Sequence, residues 1–498
     1  MELLIIGFDG ADYELMTSLV DEGKLPNIAS LMEEGAYGEL ESTQIPITPS
    51  AWTSFMTGKN PGEHGIFDFT RVTPDGLEVV SFRDVEDDTI FDILSRDHTV
   101  GTLNIPATYP PRDVNGFMVG GMMSPSLEKA TNDDEVKDIL EEEGYSIEVP
   151  GTYNGSNEDR LLKQCYETLD ARKRSAKRLM DERDLDVFMP VFTVGDRVSH
   201  WFWKYHDPDH PDFEESDYRE EVEKIYREID AAVGELLDAA EGDFNVVVMS
   251  DHGFTGLYHG FNPNKMLMDS GLLKLRRRPV SLLRYAAFEF GFTLENVYRV
   301  VRKLGLENLV KSAADNPDRD WMRKLLSLPF LSFQDVDFER SKAYSALHFG
   351  PIFCLEEEAE EEVVALLESL EFEGEKVVSN IVRGNDIFSG RNEEEAPDIV
   401  YHTEGMHYQA HRYFEFGSNR VFSEPFNTES GHHRLGGVFV AAGPDVDSRG
   451  EIDAARITDV APTVLTMMGE KVPGDMDGEV LDITDREVSY DETVITDF

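Results

Sequence analysis

Cysteine is nearly absent. Cys165 and Cys354 are the only two in a chain of 498 residues, and they lie far apart. That excludes a disulfide framework and a four-cysteine zinc site, so any metal must be held by Asp, Glu and His. Positive charge is scarce too: 46 Lys plus Arg face 99 Asp plus Glu, a formal net charge of −53 at pH 7. Such a field repels nucleic acid and anionic membranes as a whole, which argues against general nucleic-acid binding. The charge reads as the solvated surface of a protein from a high-salt cytoplasm, that of a halophile, where a Debye length of about 3 Å at 1 M salt screens the self-repulsion. Long apolar runs are missing as well. None reaches ~18 residues, so no transmembrane segment is expected. The start, "MELLIIGFDGAD", has no basic region and too short an apolar run for a signal peptide, which makes the cytoplasm the expected location. Internal repeats and low-complexity linkers do not occur.

What is present is material for a large core. The apolar share is 40%, and 30 Phe and 17 Tyr speak against acidic disorder. Strand-like and helix-like stretches alternate. "LLIIGF" (3–8), "VGTLNIP" (100–106), "GFMVGGMM" (116–123), "LDVFMPVFTVGD" (185–196), "FNVVVMS" (244–250) and "GGVFVAAGP" (436–444) read as buried strands. Residues 157–184, 215–242 and 459–469 read as helices. The expected fold class is therefore α/β, with a mostly parallel central sheet flanked by helices. In such sheets ligands bind beyond the carboxyl ends of the strands, where Asp9, Asp196 and Asp251 stand.

One region breaks the pattern. Residues 272–324 carry twelve Lys or Arg against six Asp or Glu. We take 260–340 as an inserted, locally basic helical cap, with 1–259 and 341–498 forming the catalytic core. The basic face either docks on the acidic core, covers an anionic substrate as a lid, or makes peripheral contact with a membrane or partner. "CLEEEAEEEVVALLESLEFE" (354–373) reads as a solvated acidic helix.

Several residues suit chemistry. Asp196 and His200 are four apart and share one face of a helix that starts after a strand. Asp251 and His252 are adjacent, and His432 and His433 precede a strand. Each group alone also fits an ordinary capping or packing role. Together, Asp9, Asp196, His200, Asp251, His252 and one of His432 or His433 suffice for two divalent ions with mixed nitrogen and oxygen ligands, which suits zinc or manganese. Two ions about 3.5–4 Å apart clamp the attacking and leaving oxygens of a displacement at phosphorus. Thr48, followed by Pro49, is placed to cap a helix, and helix N-termini attract phosphate. Its hydroxyl becomes a competent nucleophile when a metal lowers its pKa.

These motifs resemble the alkaline phosphatase superfamily, in particular its type I phosphodiesterase/nucleotide pyrophosphatase branch and the group described as predicted phosphohydrolases or phosphomutases. The matching pieces are "IIGFDGAD", "LPNIASLMEEGA", "TPSAWTSFMTGKNPGEHGIFDF", "NIPATYPP", "GDRVSHWFWKYHDPDHP", "MSDHGF", "GHHRLGGVFVAAGP" and "DVAPTVLTMMGEKVPGDMDGEVL", in family order. The resemblance implies an alkaline-phosphatase-like sandwich. It further implies one metal on Asp196, His200 and His433, a second on Asp9, Asp251, His252 and the Thr48 hydroxyl, and His64 in a supporting place. Thr48 would carry the phosphoryl group as a covalent phospho-threonine. Where nucleotide pyrophosphatases carry an Asn three residues after the nucleophile, this chain has Ala51. Contacts to substrate phosphate then fall to Lys59, Asn60, Arg197, Arg434 or backbone N–H groups. The sulfatase Cys-x-Pro-x-Arg signature is absent. The implied activity is a two-metal phosphoester hydrolase acting on a phosphorylated small molecule, sugar or lipid. The rivals are a phosphomutase or phosphotransferase and a non-catalytic metal-binding module.

Overall fold

The computed structural model describes residues 1–73, 76–151, 153–303, 330–410, 416–425, 429–447, 449–453 and 455–491. The central strands form where apolar side chains can be buried on both faces at once. β1 (Leu3–Phe8) is fully buried. Even-numbered residues of β1 enter one apolar cluster with the helices Glu158–Glu182 and Glu221–Ala239, and odd-numbered ones enter another with Thr48–Thr57 and Val460–Met467. That division is the period-two geometry of a strand with helices on both sides.

The other strands of the first unit are β2 (Ala36–Glu41), β3 (Val100–Ile105), β4 (Gly116–Gly120), β5 (Val187–Phe192), β6 (Asn245–Met249), β7 (Gly253–Gly256), β8 (Gly431–Arg434) and β9 (Gly436–Ala442). The central sheet has the order β2-β9-β6-β1-β5-β3-β4, and Gly450–Glu451 and Ala455–Arg456 pair outside β2. The pairs β6-β1, β1-β5, β5-β3 and β3-β4 are parallel, and β9 runs against both β6 and β2. The exception has a local cause. β7 continues the path of β6 and pairs antiparallel with β8, and β8 leads into β9 through Leu435 alone, so β9 returns beside β6. Among the described residues no helix is long and apolar enough to cross a membrane.

The chain divides into two compact units, Met1–Gly256 with Ile387–Ala396 and Ser430–Phe498, and Leu257–Asp386 with Pro397–Glu429. The second unit contains the 260–340 segment and runs well past it. Its strands Ala343–Ser345, Ile352–Cys354, Val378–Arg383 and Ile399–Thr403 form their own four-stranded sheet, and Phe261, Leu267, Phe288, Val363 and Tyr401 share its core. The helical reading of 304–329 lies outside the described residues. The stretch 354–373 is not one solvated helix. Only Ala359–Glu368 is helical, and it buries Ala359, Val363 and Leu367.

The motif around His64 is structural. His64 is buried at the end of Pro61–His64, with Nε2 2.9 Å from Ser54 Oγ, while its Nδ1 accepts from the Ile66 N–H at 3.1 Å. Burial, with Lys59 adding to it, pushes its pKa down from 6.5 to about 3. An unfolded chain binds a proton there near pH 6.5 and the folded chain does not, so this site's stability is complete above pH 6.5 and is lost as pH falls through that window. In metal-free protein, His64→Gln is expected to flatten the acid limb of unfolding free energy against pH by up to about 1.4 kcal/mol per pH unit. Urea titrations of both proteins between neutral pH and about pH 4 measure it.

Candidate active site

Three neighbouring parallel strands, β6, β1 and β5, end on the same side of the sheet, and a carboxylate follows each. Asp9 directly follows β1, Asp251 stands two residues after β6, and Asp196 is in the first turn of Val194–His206, the helix that leaves β5. His200 is one turn along that helix, and its Nε2 lies 3.2 Å from Asp196 Oδ2. His433 arrives on β8, held opposite Phe254 of β7 by antiparallel pairing. Its Nε2 is 3.2 Å from Asp196 Oδ2 and 3.0 Å from His200 Nε2. His252, between Asp251 and β7, stacks on His433 with centroids 3.6 Å apart. Its Nε2 lies 3.2 Å from Asp251 Oδ2, 4.0 Å from Asp9 Oδ1 and 3.5 Å from Thr48 Oγ1.

The imidazoles share an orientation. Nδ1 of His200, His252 and His433 lies 3.0, 3.1 and 2.9 Å from the carbonyl oxygens of Gly431, Gly253 and Pro46. A nitrogen beside a carbonyl carries the proton, so each Nε2 turns a lone pair inward. The carboxylates match this. Both oxygens of Asp9, and Oδ2 of Asp251, are buried without a hydrogen-bond partner. Burial, with Asp251 and Asp196 adding to it, raises the Asp9 pKa well above the ordinary range. Asp251 is raised likewise, by burial first. Burial, reinforced by His433, holds His252 well below its usual value, and His433 is lowered mainly by burial. Asp196 goes the other way in metal-free protein: burial opposes ionisation, but a proton taken up on the His200 and His433 Nε2 atoms facing it, together with Arg197, outweighs burial. Inward lone pairs and orphaned buried carboxylate oxygens are a donor set that divalent cations compensate. Asp196, His252 and His433 form one group with ligand atoms within 4.8 Å of each other, and Asp9, Asp251 and His252 form another.

Thr48 corrects one expectation. It is the first residue of Thr48–Thr57 and not its cap, which is Ile47. Its hydroxyl caps no amide and points toward His252 instead. It thus combines a helix N-terminus with a hydroxyl held only by a long contact, 3.5 Å, to His252 Nε2.

The four residues expected to contact substrate phosphate stand differently. Lys59 and Asn60 are not brought to this cluster. They follow the far end of the ten-residue helix Thr48–Thr57, roughly 15 Å of helical rise from Thr48. Lys59 Nζ is buried between Asp87 and Asp475, at 2.8 and 2.5 Å. Asn60 caps Pro61–His64 and donates to Asp477 and Ser389. Arg197 does border the site, with Nη1 3.6 Å from Asp196 Oδ1, but its Nε and Nη2 donate to Glu148. Arg434 is turned to Asp12 and Glu14, because alternation along β8 puts it on the face opposite His433. Asp12 also caps Tyr13–Asp21 and accepts from the Phe254 N–H, so the pair ties β8 to β1 and β7. Arg434→Leu is therefore expected to cost about 3 kcal/mol in urea unfolding, by leaving Asp12 buried without its cation. KM for a phosphoester should hardly change.

Sequence reasoning missed several supporting groups. The Gly10 N–H donates to Asp251 Oδ1 at 3.1 Å, and Ser42 Oγ donates to the Asp251 carbonyl at 2.6 Å. Gly10 has φ +72°, and a Cβ there would stand 3.1 Å from Asp196 Cα, so only glycine allows this approach. The signal was a glycine directly after the first carboxylate. Arg172 is fully buried and donates to the carbonyls of Val191, Ser146 and Ile147 and to Thr193 Oγ1, fixing the turn that launches Asp196. Nothing in the sequence singled it out from the other charges of a long amphipathic helix.

The sequence family described as type I phosphodiesterase/nucleotide pyrophosphatase matches residues 3–315, which include every residue of the site except His433. No curated protein matches. Among solved structures, phosphonoacetate hydrolase from Sinorhizobium meliloti 1021, in complex with phosphonoformate, is similar with a TM-score of 0.53 at 14% identity, over 93% of this chain and 94% of that one. Murine ectonucleotide pyrophosphatase/phosphodiesterase 5 is similar with a TM-score of 0.50 at 13% identity, over 95% and 96%. At such identities the likeness is one of fold, a mixed α/β chain around a mostly parallel sheet.

Proposed function

The chain belongs to the type I phosphodiesterase/nucleotide pyrophosphatase family, within the alkaline phosphatase superfamily, and from that premise we propose that it is a two-metal phosphoester hydrolase that works through Thr48. The observation that carries the proposal is the pair of buried donor groups, Asp196-His252-His433 and Asp9-Asp251-His252, beside a threonine hydroxyl at a helix N-terminus. His200 and the Thr48 hydroxyl would complete the ligands, and zinc or manganese suits this mixture of nitrogen and oxygen. When bound, the ions supply charge neutralisation at phosphorus and favour an ionised oxygen nucleophile.

The chain's own groups do the rest. Thr48 Oγ1, its proton lost to solvent water, attacks phosphorus, and the P–O bond to the leaving alcohol breaks with its electron pair going to that oxygen, which takes a proton from water. Water then attacks the phospho-threonine, the Thr48 Oγ1–P bond breaks, and Oγ1 regains a proton. Carbonyl contacts at Nδ1 keep the three imidazoles in one tautomer. The amide of Gly10 and the hydroxyl of Ser42 hold Asp251 from two sides. The amide end of Thr48–Thr57 favours the anionic phosphoryl group, a contact available although Ala51 offers no side-chain amide.

The test is turnover of bis-p-nitrophenyl phosphate, p-nitrophenyl phosphate and phosphonoacetate by protein loaded with Zn²⁺ or Mn²⁺. Chelator-sensitive release of product from one of the two esters is expected, and the preferred ester assigns diester or monoester. Turnover of phosphonoacetate alone would replace P–O cleavage by C–P cleavage and overturn the phosphoester reading. Phosphoryl transfer to an added alcohol in place of water would assign a transferase instead. Two bound ions with no turnover of any of them would overturn the hydrolase reading.

A further inference from the structure

The second unit carries a surface that runs against the charge of the whole protein. Between residues 272 and 303 there are eight Lys or Arg and two Glu, in a chain of net −53. The helix Pro279–Glu289 lies in this stretch, and its rotation is fixed from one side. Ser281 Oγ donates to Asp335 at 2.7 Å, and Arg284 Nη1 pairs with both oxygens of the same carboxylate. Phe288 is buried, edge-on to Phe416. The opposite side is left facing solvent. Val280 is 53% exposed, Leu283 71% and Phe290 93%. Their spacing of three and seven residues, with the exposed Ala286 between, makes one apolar stripe along the helix. Leu282 and Phe292 extend it sideways.

Single exposed apolar residues need no explanation, but a contiguous stripe on a helix anchored by its polar face does. Charge selects the occupant. Arg277 and Arg278, both exposed, stand at the start of the stripe, and no ion pair or hydrogen bond of their side chains is found among the described residues. The one carboxylate on the helix, that of Glu289, is directed toward Lys265 at 3.7 Å. An apolar stripe with cations at its edge is how a helix lies in the headgroup region of an anionic bilayer. The net charge of the protein does not forbid this, because a Debye length of about 8 Å at physiological salt leaves the nearest charges to decide.

We propose that the Arg277–Phe290 face docks on anionic lipid surfaces, giving the protein a peripheral membrane site. The full-length protein is sedimented with phosphatidylcholine vesicles, with and without phosphatidylglycerol. Partitioning at least about tenfold stronger onto the anionic vesicles is expected. Leu283→Ser with Phe290→Ser should reduce it at least about tenfold, since two exposed apolar side chains lose their burial in lipid. Arg277→Gln with Arg278→Gln should remove the preference for phosphatidylglycerol. Thermal melts of both variants should match the parent, because none of these side chains is packed. No vesicle binding, or binding unchanged in the Leu283/Phe290 variant, overturns the proposal. So does a concentration-dependent dimer that the same variant dissolves, which would assign the stripe to a second copy of this chain.

Discussion

Thr48→Ala is expected to lower turnover of the preferred phosphoester by about 10⁴-fold or more, the scale on which removal of a covalent nucleophile acts. The substitution deletes an oxygen whose recorded bond is a long one: Thr48 does not cap its helix, and its hydroxyl meets His252 Nε2 at 3.5 Å. The helix should persist, because alanine favours it and Pro49 still starts it. Both ions should still bind at saturating metal, the one beside Thr48 more weakly, since Asp9, Asp251 and His252 remain as donors when the Thr48 hydroxyl is removed. Thr48→Ser, which keeps the oxygen, should retain a measurable part of the rate. Turnover and metal content measured on the same samples decide the matter. A Thr48→Ala protein that turns over like the parent with both ions bound removes Thr48 as nucleophile and leaves the metal-site reading standing.

Asp251→Asn is the second large effect, and it has two signs. In metal-free protein the substitution is expected to stabilise the fold by about 1–2 kcal/mol, the usual gain when an unfavourable functional site is relieved. Asp251 and Asp9 are buried together, and both resist ionisation. Asparagine keeps an oxygen for the Gly10 N–H and removes the charge. In metal-loaded protein the same substitution should abolish the added stability, which amounts to about 3–4 kcal/mol when free metal exceeds its dissociation constant by 100- to 1,000-fold. The gap between loaded and metal-free melting temperatures should therefore shrink from above and from below. Calorimetry with and without chelator, with metal content by elemental analysis, measures both arms. A metal-free Asp251→Asn protein less stable than the parent would show that Asp251 acts there as an ordinary structural hydrogen-bonding residue.

The sequence by itself was enough for the scaffold. Continuous apolar runs of five or six residues that end at Asp9, Thr193-Val194-Gly195-Asp196 and Ser250-Asp251 can be satisfied only by strands buried on both faces, and such strands put their carboxyl ends on one side of a parallel sheet. Strand bounds lie within four residues of those expected, because burial period is a local property, whereas the helix expected over 215–242 starts only at Glu221 and that expected over 354–373 shortens to Ala359–Glu368.

What the tertiary structure decided is where local patterns are silent. His432 and His433 are indistinguishable by composition, and pairing of β8 with β7 selects which of them faces Asp196, since a strand alternates its sides. The same alternation sends Arg434 away to Asp12. Lys59 and Asn60 looked close to Thr48 in sequence, yet a rigid helix carries them to its other end. The second unit extends to Asp386 and over Pro397–Glu429, because short strands far apart in sequence close a separate sheet. Gly10 and Ser42 hold Asp251, and Arg172 anchors the turn before Asp196, through contacts spanning from about twenty to more than two hundred residues of sequence. Such long-range contacts leave no periodic trace in sequence. They are set by which strands pair, and that pairing is a property of the whole sheet.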